Sequence, residues 1–257
     1  MKVVILAGGW GTRMGNLAEL VPKPMVHIGN KPVLWHIMKR YSHYGYNDFI
    51  IALGVKGHMI KEYFYNFEAL NNDFTVDLSN GQVTYHNKHG ESNWKVTLVD
   101  TGLNTLKGGR IKRLENYLDH DLNMVTYGDG LSDINIDELV AFHKSHNKIV
   151  TFSGVHPSGR FGEFEEKNNK VLSFKEKPSK GRAYINGGYM VFHRKLLDYL
   201  TTDENCDFEF NALENLAKVG QVMVYKHSGS WEGMDHERDV KYLNSLWNQN
   251  NAFWKTD

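Results

Sequence analysis

The chain predicts an α/β fold: a mostly parallel sheet with helices on both faces and a small β-hairpin excursion. Three observations carry that reading. Short apolar runs at 3–7, 48–53, 94–99, 122–127 and 149–155 alternate with stretches whose apolar residues recur at helical spacing. The first run breaks into three glycines within four positions, Gly8, Gly9 and Gly11, as a strand-to-loop transition in such a sheet does. With 257 residues and 41% hydrophobic content, the chain can bury a sizeable core, and it is expected to be one domain over 1–257.

Val3-Val4-Ile5-Leu6-Ala7 is too short for a membrane span or a secretion signal, but has the length and branching of a buried parallel strand. It reads as the central strand. The glycines that follow let the backbone approach a ligand closely and turn successive N–H groups toward an anion, which suits a nucleotide phosphate chain. Neither a Walker loop nor a Rossmann fingerprint fits this spacing. Arg13 adds a fork for phosphate oxygens and Lys23 a compact charge, with Pro22 and Pro24 fixing the lysine's backbone and excluding a helix there.

Val33, Leu34, Ile37, Met38 and Tyr41 predict a helix over 31–44, followed by a strand over 48–53 and a helix over 57–67. Residues 71–90 alternate weakly about Asn80-Gly81 and read as a hairpin or mobile insertion. After the strand at 94–99, a helix over 106–118 opens at Gly108-Gly109-Arg110, either a phosphate-binding helix start or an ordinary glycine-rich entry. The strand at 122–127 runs into Gly128-Asp129-Gly130. A lone carboxylate at the carboxyl tip of a central strand suits Mg²⁺ held partly through substrate phosphates, although Asp-Gly is also a turn signal.

A helix over 137–146 and a strand over 149–155 lead to a hairpin at 161–164 and 171–174, which delivers Glu176-Lys177-Pro178. Ile185-Asn186-Gly187-Gly188 opens the next apolar run, 189–192. Glu176, Lys177 and Asn186 offer an acceptor, a cation and an amide, a set that suits a sugar phosphate and is equally ordinary on a solvated loop. A helix over 208–219 and a strand over 221–225 precede Asp235, which by local pattern caps a last helix through Val240, Leu243 and Leu246, within a C-terminal helix and tail at 235–257.

Thirty basic and thirty acidic side chains cancel, which removes the charge footprint of a nucleic-acid or membrane-surface binder. The lone Cys206 excludes an internal disulfide, and Asn205 and Asp207 beside it do not make an activated thiol. His143 and His146 share a helix face, but no metal-ligand spacing accompanies them. A soluble cytoplasmic protein is expected.

Leu6-Ala7-Gly8-Gly9-x-Gly11-Thr12-Arg13 followed by Lys23-Pro24-Met25 resembles the signature of the sugar-1-phosphate nucleotidylyltransferases, and the resemblance runs nearly end to end. The segments at 31–38, 41–45 and 252–256 look most like members that join CTP to glucose 1-phosphate. The resemblance implies a Rossmann-like, glycosyltransferase-A type sheet, Mg²⁺ as cofactor, and a homo-oligomer, often a hexamer, working in the synthesis of surface polysaccharide. It implies that Leu6, Ala7, Gly8, Gly9 and Gly11 hold base and phosphates, that Arg13 holds the leaving pyrophosphate, and that Lys23 holds the oxygens of the α-phosphorus. Thr12, Thr105, Arg110 and Gly128 fall at nucleotide positions, and Glu176, Lys177, Asn186 and Gly187 at the sugar site. Asp129 and Asp235 become metal ligands, Asp235 on this resemblance alone.

The chain departs from the pattern at Trp10, where a smaller aliphatic residue is usual, and at Val21, where a lysine often stands. Two alternatives stay open: the same chemistry on dTTP or UTP, and a catalytically silent nucleotide-sugar binding module, which would be expected to lack one of Arg13, Lys23, Asp129, Lys177 or Asp235.

Overall fold

The computed structural model describes residues 1–15, 19–86, 90–91, 93–157, 163–168, 170–175 and 183–256. The central sheet contains β1 (Val3–Leu6), β2 (Asp48–Leu53), β3 (Lys95–Asp100), β4 (Leu122–Tyr127), β5 (Val150–Val155), β6 (Ile185–His193) and β7 (Val222–Lys226), in the order 3-2-1-4-6-5-7. The main helices are α1 (Val33–His43), α2 (Gly57–Tyr65), α3 (Lys107–Arg113), α4 (Ile136–Lys144) and α5 (Glu237–Asn248).

Alternation along β1 explains the layering. Val3 and Ile5 face one side and pack with Leu34, Ile37, Met38 and Tyr41 of α1. Val4 and Leu6 face the other, in a second cluster that holds Ile111 of α3 and Phe208. A strand apolar on both sides belongs in the middle of the sheet, and β1 pairs in parallel with β2 and with β4. Leu6 lies opposite both Ala52 and Tyr127, so the carboxyl ends of β1, β2 and β4 stand side by side. Because the chain goes from β1 to β2 on one side and only later adds β4 on the other, the end of β1 is a topological switch point, where α/β sheets open a ligand crevice.

Strand β6 runs antiparallel to both β4 and β5. An antiparallel return needs no crossover helix, and the segment between β5 and β6 instead carries a two-stranded ribbon, Glu163–Lys167 with Lys170–Lys175. Reversal places the start of β6, with Asn186, at the same edge as the carboxyl ends of the parallel strands.

Three elements differ in detail from their sequence pattern. The helix expected over 106–118 ends at Arg113, and a 3₁₀ turn, Glu115–Tyr117, follows. The helix expected over 57–67 breaks after Tyr65 and resumes as Phe67–Asn71. The segment expected as a helix over 208–219 opens as a π-helix, Phe208–Leu213, before the α-turn Glu214–Lys218. Phe74–Asp77 and Gln82–Tyr85 pair antiparallel and are exposed throughout, a ribbon standing off the core. No helix among the described residues is long and apolar enough to cross a membrane.

Candidate active site

A cleft of about 500 Å³ opens at the switch point. Its floor is the loop after β1. Gly11 takes a left-handed conformation (φ 66°), which only glycine adopts cheaply, and one 3₁₀ turn, Thr12–Met14, follows with Met14 buried beneath it. That turn sets Thr12 and Arg13 on the cleft wall.

The second wall comes from Lys23–Met25. Proline flanks were expected to exclude a helix here; the structure has a single 3₁₀ turn, because Pro24 in a first turn gives up only an N–H that would be unpaired anyway. Pro24 and Met25 are buried and fix the turn. Lys23 Nζ then lies 2.6 Å from Asp129 Oδ2 and 2.7 Å from Asp235 Oδ1. Arg13 Nη1 is 3.1 Å from Asp235 Oδ2. Two cations and two carboxylates from four separate stretches of chain thus meet at one point.

Asp235 is not the helix cap that its local pattern suggests. Helix α5 starts at Glu237 with His236 at the cap position, and Asp239 Oδ2 accepts from the backbone N–H of both Asp235 (2.9 Å) and His236 (2.8 Å). With His236 in the cap position, the Asp235 carboxylate does not serve as the cap and is turned toward Lys23 and Arg13.

The entry of α3 also differs from the phosphate-binding alternative. Gly109 N–H donates to Cys206 O at 3.0 Å and Arg110 N–H to Leu106 O at 3.1 Å, so these donors are occupied. A Cβ on Gly108 would stand 2.8 Å from Cys206 O, and one on Gly109 2.5 Å from Asp203 O. The glycine pair is there for close packing against the 203–207 segment. Arg110 lines the cleft but is buried: Nη1 donates to Leu53 O (2.9 Å), Thr101 Oγ1 (2.8 Å) and Gly102 O (2.7 Å), and Nη2 to Gly8 O (2.9 Å) and Leu103 O (3.2 Å). It ties the glycine loop to the ends of β2 and β3. Burial, with Arg113 nearby, holds its pKa below the ordinary arginine value. Thr105 Oγ1, also on the cleft wall, accepts from Arg113 Nη1 at 2.8 Å.

Leu6, Ala7, Gly8, Gly9, Gly128 and Asn186 also line the cleft, whereas Gly187 touches it through its carbonyl, which accepts from the cleft residue Trp231 (Nε1, 2.8 Å). Glu176 and Lys177 lie outside the described residues. Sequence reasoning passed over several residues of the lining, among them Lys107, Tyr127 and Trp231. For Tyr127 a signal existed, an aromatic with a polar tip immediately before Gly128-Asp129 at the end of a central strand. Burial and the Glu209 carboxylate push its phenol pKa up, which keeps the hydroxyl protonated.

A glycine loop, convergent cations and paired carboxylates at a switch point define a protein that handles the phosphates of a nucleotide. The nucleotidyl transferase family model matches residues 2–255, and the chain belongs to that family. It is 45% identical to the glucose-1-phosphate cytidylyltransferase of Salmonella typhimurium, over 100% of this chain and 99% of that one. The enzyme of the same name from Salmonella typhi matches equally, 45% over 100% and 99%. Among solved structures, a UDP-glucose pyrophosphorylase complexed with UDP-glucose shares the fold at a TM-score of 0.68 and 16% identity, covering 97% of this chain and 98% of that one.

Proposed function

We propose that the protein transfers the cytidylyl group of CTP to α-D-glucose 1-phosphate, giving CDP-glucose and pyrophosphate. The observation that carries this reading is the meeting of Arg13, Lys23, Asp129 and Asp235 in the glycine-lined cleft of a chain 45% identical, end to end, to glucose-1-phosphate cytidylyltransferases. All five charged groups of which a silent binding module would be expected to lack at least one are present in the sequence, and four of them, Arg13, Lys23, Asp129 and Asp235, meet in the cleft.

A phosphate monoester has a second pKa of about 6, so the attacking oxygen is already largely ionised near neutrality and no general base is required. The chain must align the attacking oxygen with the leaving group and offset the charge that builds on pyrophosphate. The glycine loop lets the nucleotide approach the backbone. Lys23, held near the carboxyl end of β1, supplies positive charge at the α-phosphoryl oxygens, and Arg13 does so at the leaving pyrophosphate. Asn186 and Gly187, with Glu176 and Lys177 by resemblance, hold the sugar phosphate.

A divalent cation fits the paired carboxylates. Asp129 Oδ2 and Asp235 Oδ1 converge within 2.7 Å of one positive charge, the Lys23 ammonium, and both offer hard oxygen donors. No third histidine, cysteine or carboxylate completes a ligand group among the described residues, which suits Mg²⁺, an ion that keeps water and substrate phosphate oxygens in its shell. When bound it supplies charge neutralisation across phosphate oxygens. Self-association is expected from the resemblance, and light scattering on the purified protein measures it.

Pyrophosphate release with glucose 1-phosphate and Mg²⁺, run with CTP, dTTP, UTP and ATP in parallel, tests the activity. Selectivity for CTP is expected. Preference for another nucleotide would move the base specificity, and no release with any would leave a binding module.

A further inference from the structure

Asn186, the amide placed at the sugar side of the cleft, does not stand alone. Its Oδ1 accepts from Gly188 N–H at 2.9 Å and its Nδ2 donates to the Tyr127 hydroxyl at 3.1 Å, so both ends of the amide are assigned. The Tyr127 hydroxyl in turn donates to Glu209 Oε1 at 2.5 Å, and the same oxygen accepts from Lys107 Nζ. The Lys107 ammonium sits 5.1 Å over the Tyr127 ring, which holds the ring from above. Gly188, in a left-handed conformation (φ 83°), leaves the space that the ring fills; a Cβ there would stand 2.6 Å from Tyr127 Cδ2.

Glu209 is anchored as firmly. It lies in the π-helix Phe208–Leu213, a form that is rare and concentrates at functional sites, and the Asp207 carboxylate accepts from its N–H at 2.8 Å. The chain Lys107–Glu209–Tyr127–Asn186 therefore crosses the cleft, from the α3 wall beside Thr105 to the start of β6, and Lys107, Tyr127 and Asn186 all line the cavity.

We propose that Tyr127 and Glu209 are positioning residues for the acceptor: acting through the Asn186 amide, they fix the donor and acceptor directions offered to a hydroxyl of the sugar phosphate. This rests on the assignment of the sugar site to Asn186. Without the phenol hydroxyl the amide keeps its Gly188 bond but loses the partner that holds its nitrogen, and a sugar hydroxyl then has to order the amide as it binds.

Steady-state kinetics of Tyr127→Phe test the idea. The KM for glucose 1-phosphate rises about tenfold, the effect of one well-placed hydrogen bond, while the KM for CTP is unchanged. Monodeoxy analogues of glucose 1-phosphate give the readout that a merely structural role would not move: the penalty disappears on the analogue lacking the hydroxyl that Asn186 recognises. Glu209→Gln, which retains an acceptor oxygen for the phenol, keeps the wild-type KM, and Glu209→Leu reproduces Tyr127→Phe. An unchanged sugar-phosphate KM in Tyr127→Phe overturns the proposal, as does an equal rise for CTP and for every analogue, which would mean general loosening. If the wild-type enzyme itself releases no pyrophosphate from CTP and glucose 1-phosphate, the parent reading fails and takes this one with it.

Discussion

Lys23 and Asp129 are separated by 106 residues of chain and by 2.6 Å in space. The contact exists because the turn Lys23–Met25 packs against the tip of β4, where a Cβ on Gly128 would stand 3.0 Å from Pro24 Cγ. If Lys23 acts on the α-phosphoryl oxygens as proposed, Lys23→Ala should lower kcat by roughly 10²–10³, the cost typical of losing one preorganised electrostatic contact. Its far-ultraviolet circular dichroism should match the wild type. Turnover within a few-fold of wild type would remove Lys23 from the mechanism.

Arg110→Ala leaves several buried oxygens without a donor, among them Leu53 O and Gly8 O. The urea midpoint should fall by the equivalent of about 3 kcal/mol, and the KM for CTP should rise as the glycine loop loses its tether. Arg110→Lys should recover little, since one ammonium does not span the oxygens a guanidinium fork reaches. A raised KM with an untouched midpoint would instead indicate direct contact with the triphosphate.

Neighbouring glycines of the loop should respond differently to alanine. A Cβ on Gly8 would stand 2.3 Å from Arg110 Nη1, whereas one on Gly9 meets nothing within 4 Å. Gly8→Ala is expected to lower the melting temperature by several degrees, about 1–3 kcal/mol of overpacking, and Gly9→Ala to leave it in place. Equal melting temperatures for the two variants would show that Arg110 yields readily and is not the tether described.

Acid should weaken the fold through two buried imidazoles. Burial lowers the pKa of His36 and of His143 from 6.5 to about 4, with His146 adding to the effect on His143. Between these values the unfolded chain binds protons that the folded chain does not, so stability falls as pH drops below 6.5. Each ring should cost about 2 kcal/mol between pH 7 and pH 5, read as a shift of the urea midpoint. A His36→Gln variant should show a smaller pH dependence than wild type; an identical slope would locate the effect elsewhere.

Local signals made much of this molecule legible. An apolar five-residue run ending in glycines fixes both β1 and the loop behind it, and Gly128-Asp129-Gly130 marks its own strand tip. Where two distant segments decide the matter, a local signal misleads. Asp235 carries the pattern of a helix cap, and only the fold, with His236 at the cap and Lys23 and Arg13 against the Asp235 carboxylate, shows that its carboxylate is used elsewhere. Arg110 has the chemistry of a phosphate ligand, and its burial becomes visible only when β1, β2 and β3 bring their carbonyls to it. Strand direction was equally hidden in β6, since an apolar run reads the same in either sense.

The reversed β6 also bears on how such a cleft diversifies. On the proposed assignment the glycine loop and Asp129 follow the parallel strands β1 and β4, while the amide assigned to the sugar sits at the start of an antiparallel strand reached through a surface ribbon. Insertions or deletions in that ribbon leave the crossovers of the parallel half intact. A change in that ribbon would therefore reshape the side of the cleft that holds Asn186 without disturbing the strands that carry the glycine loop and Asp129.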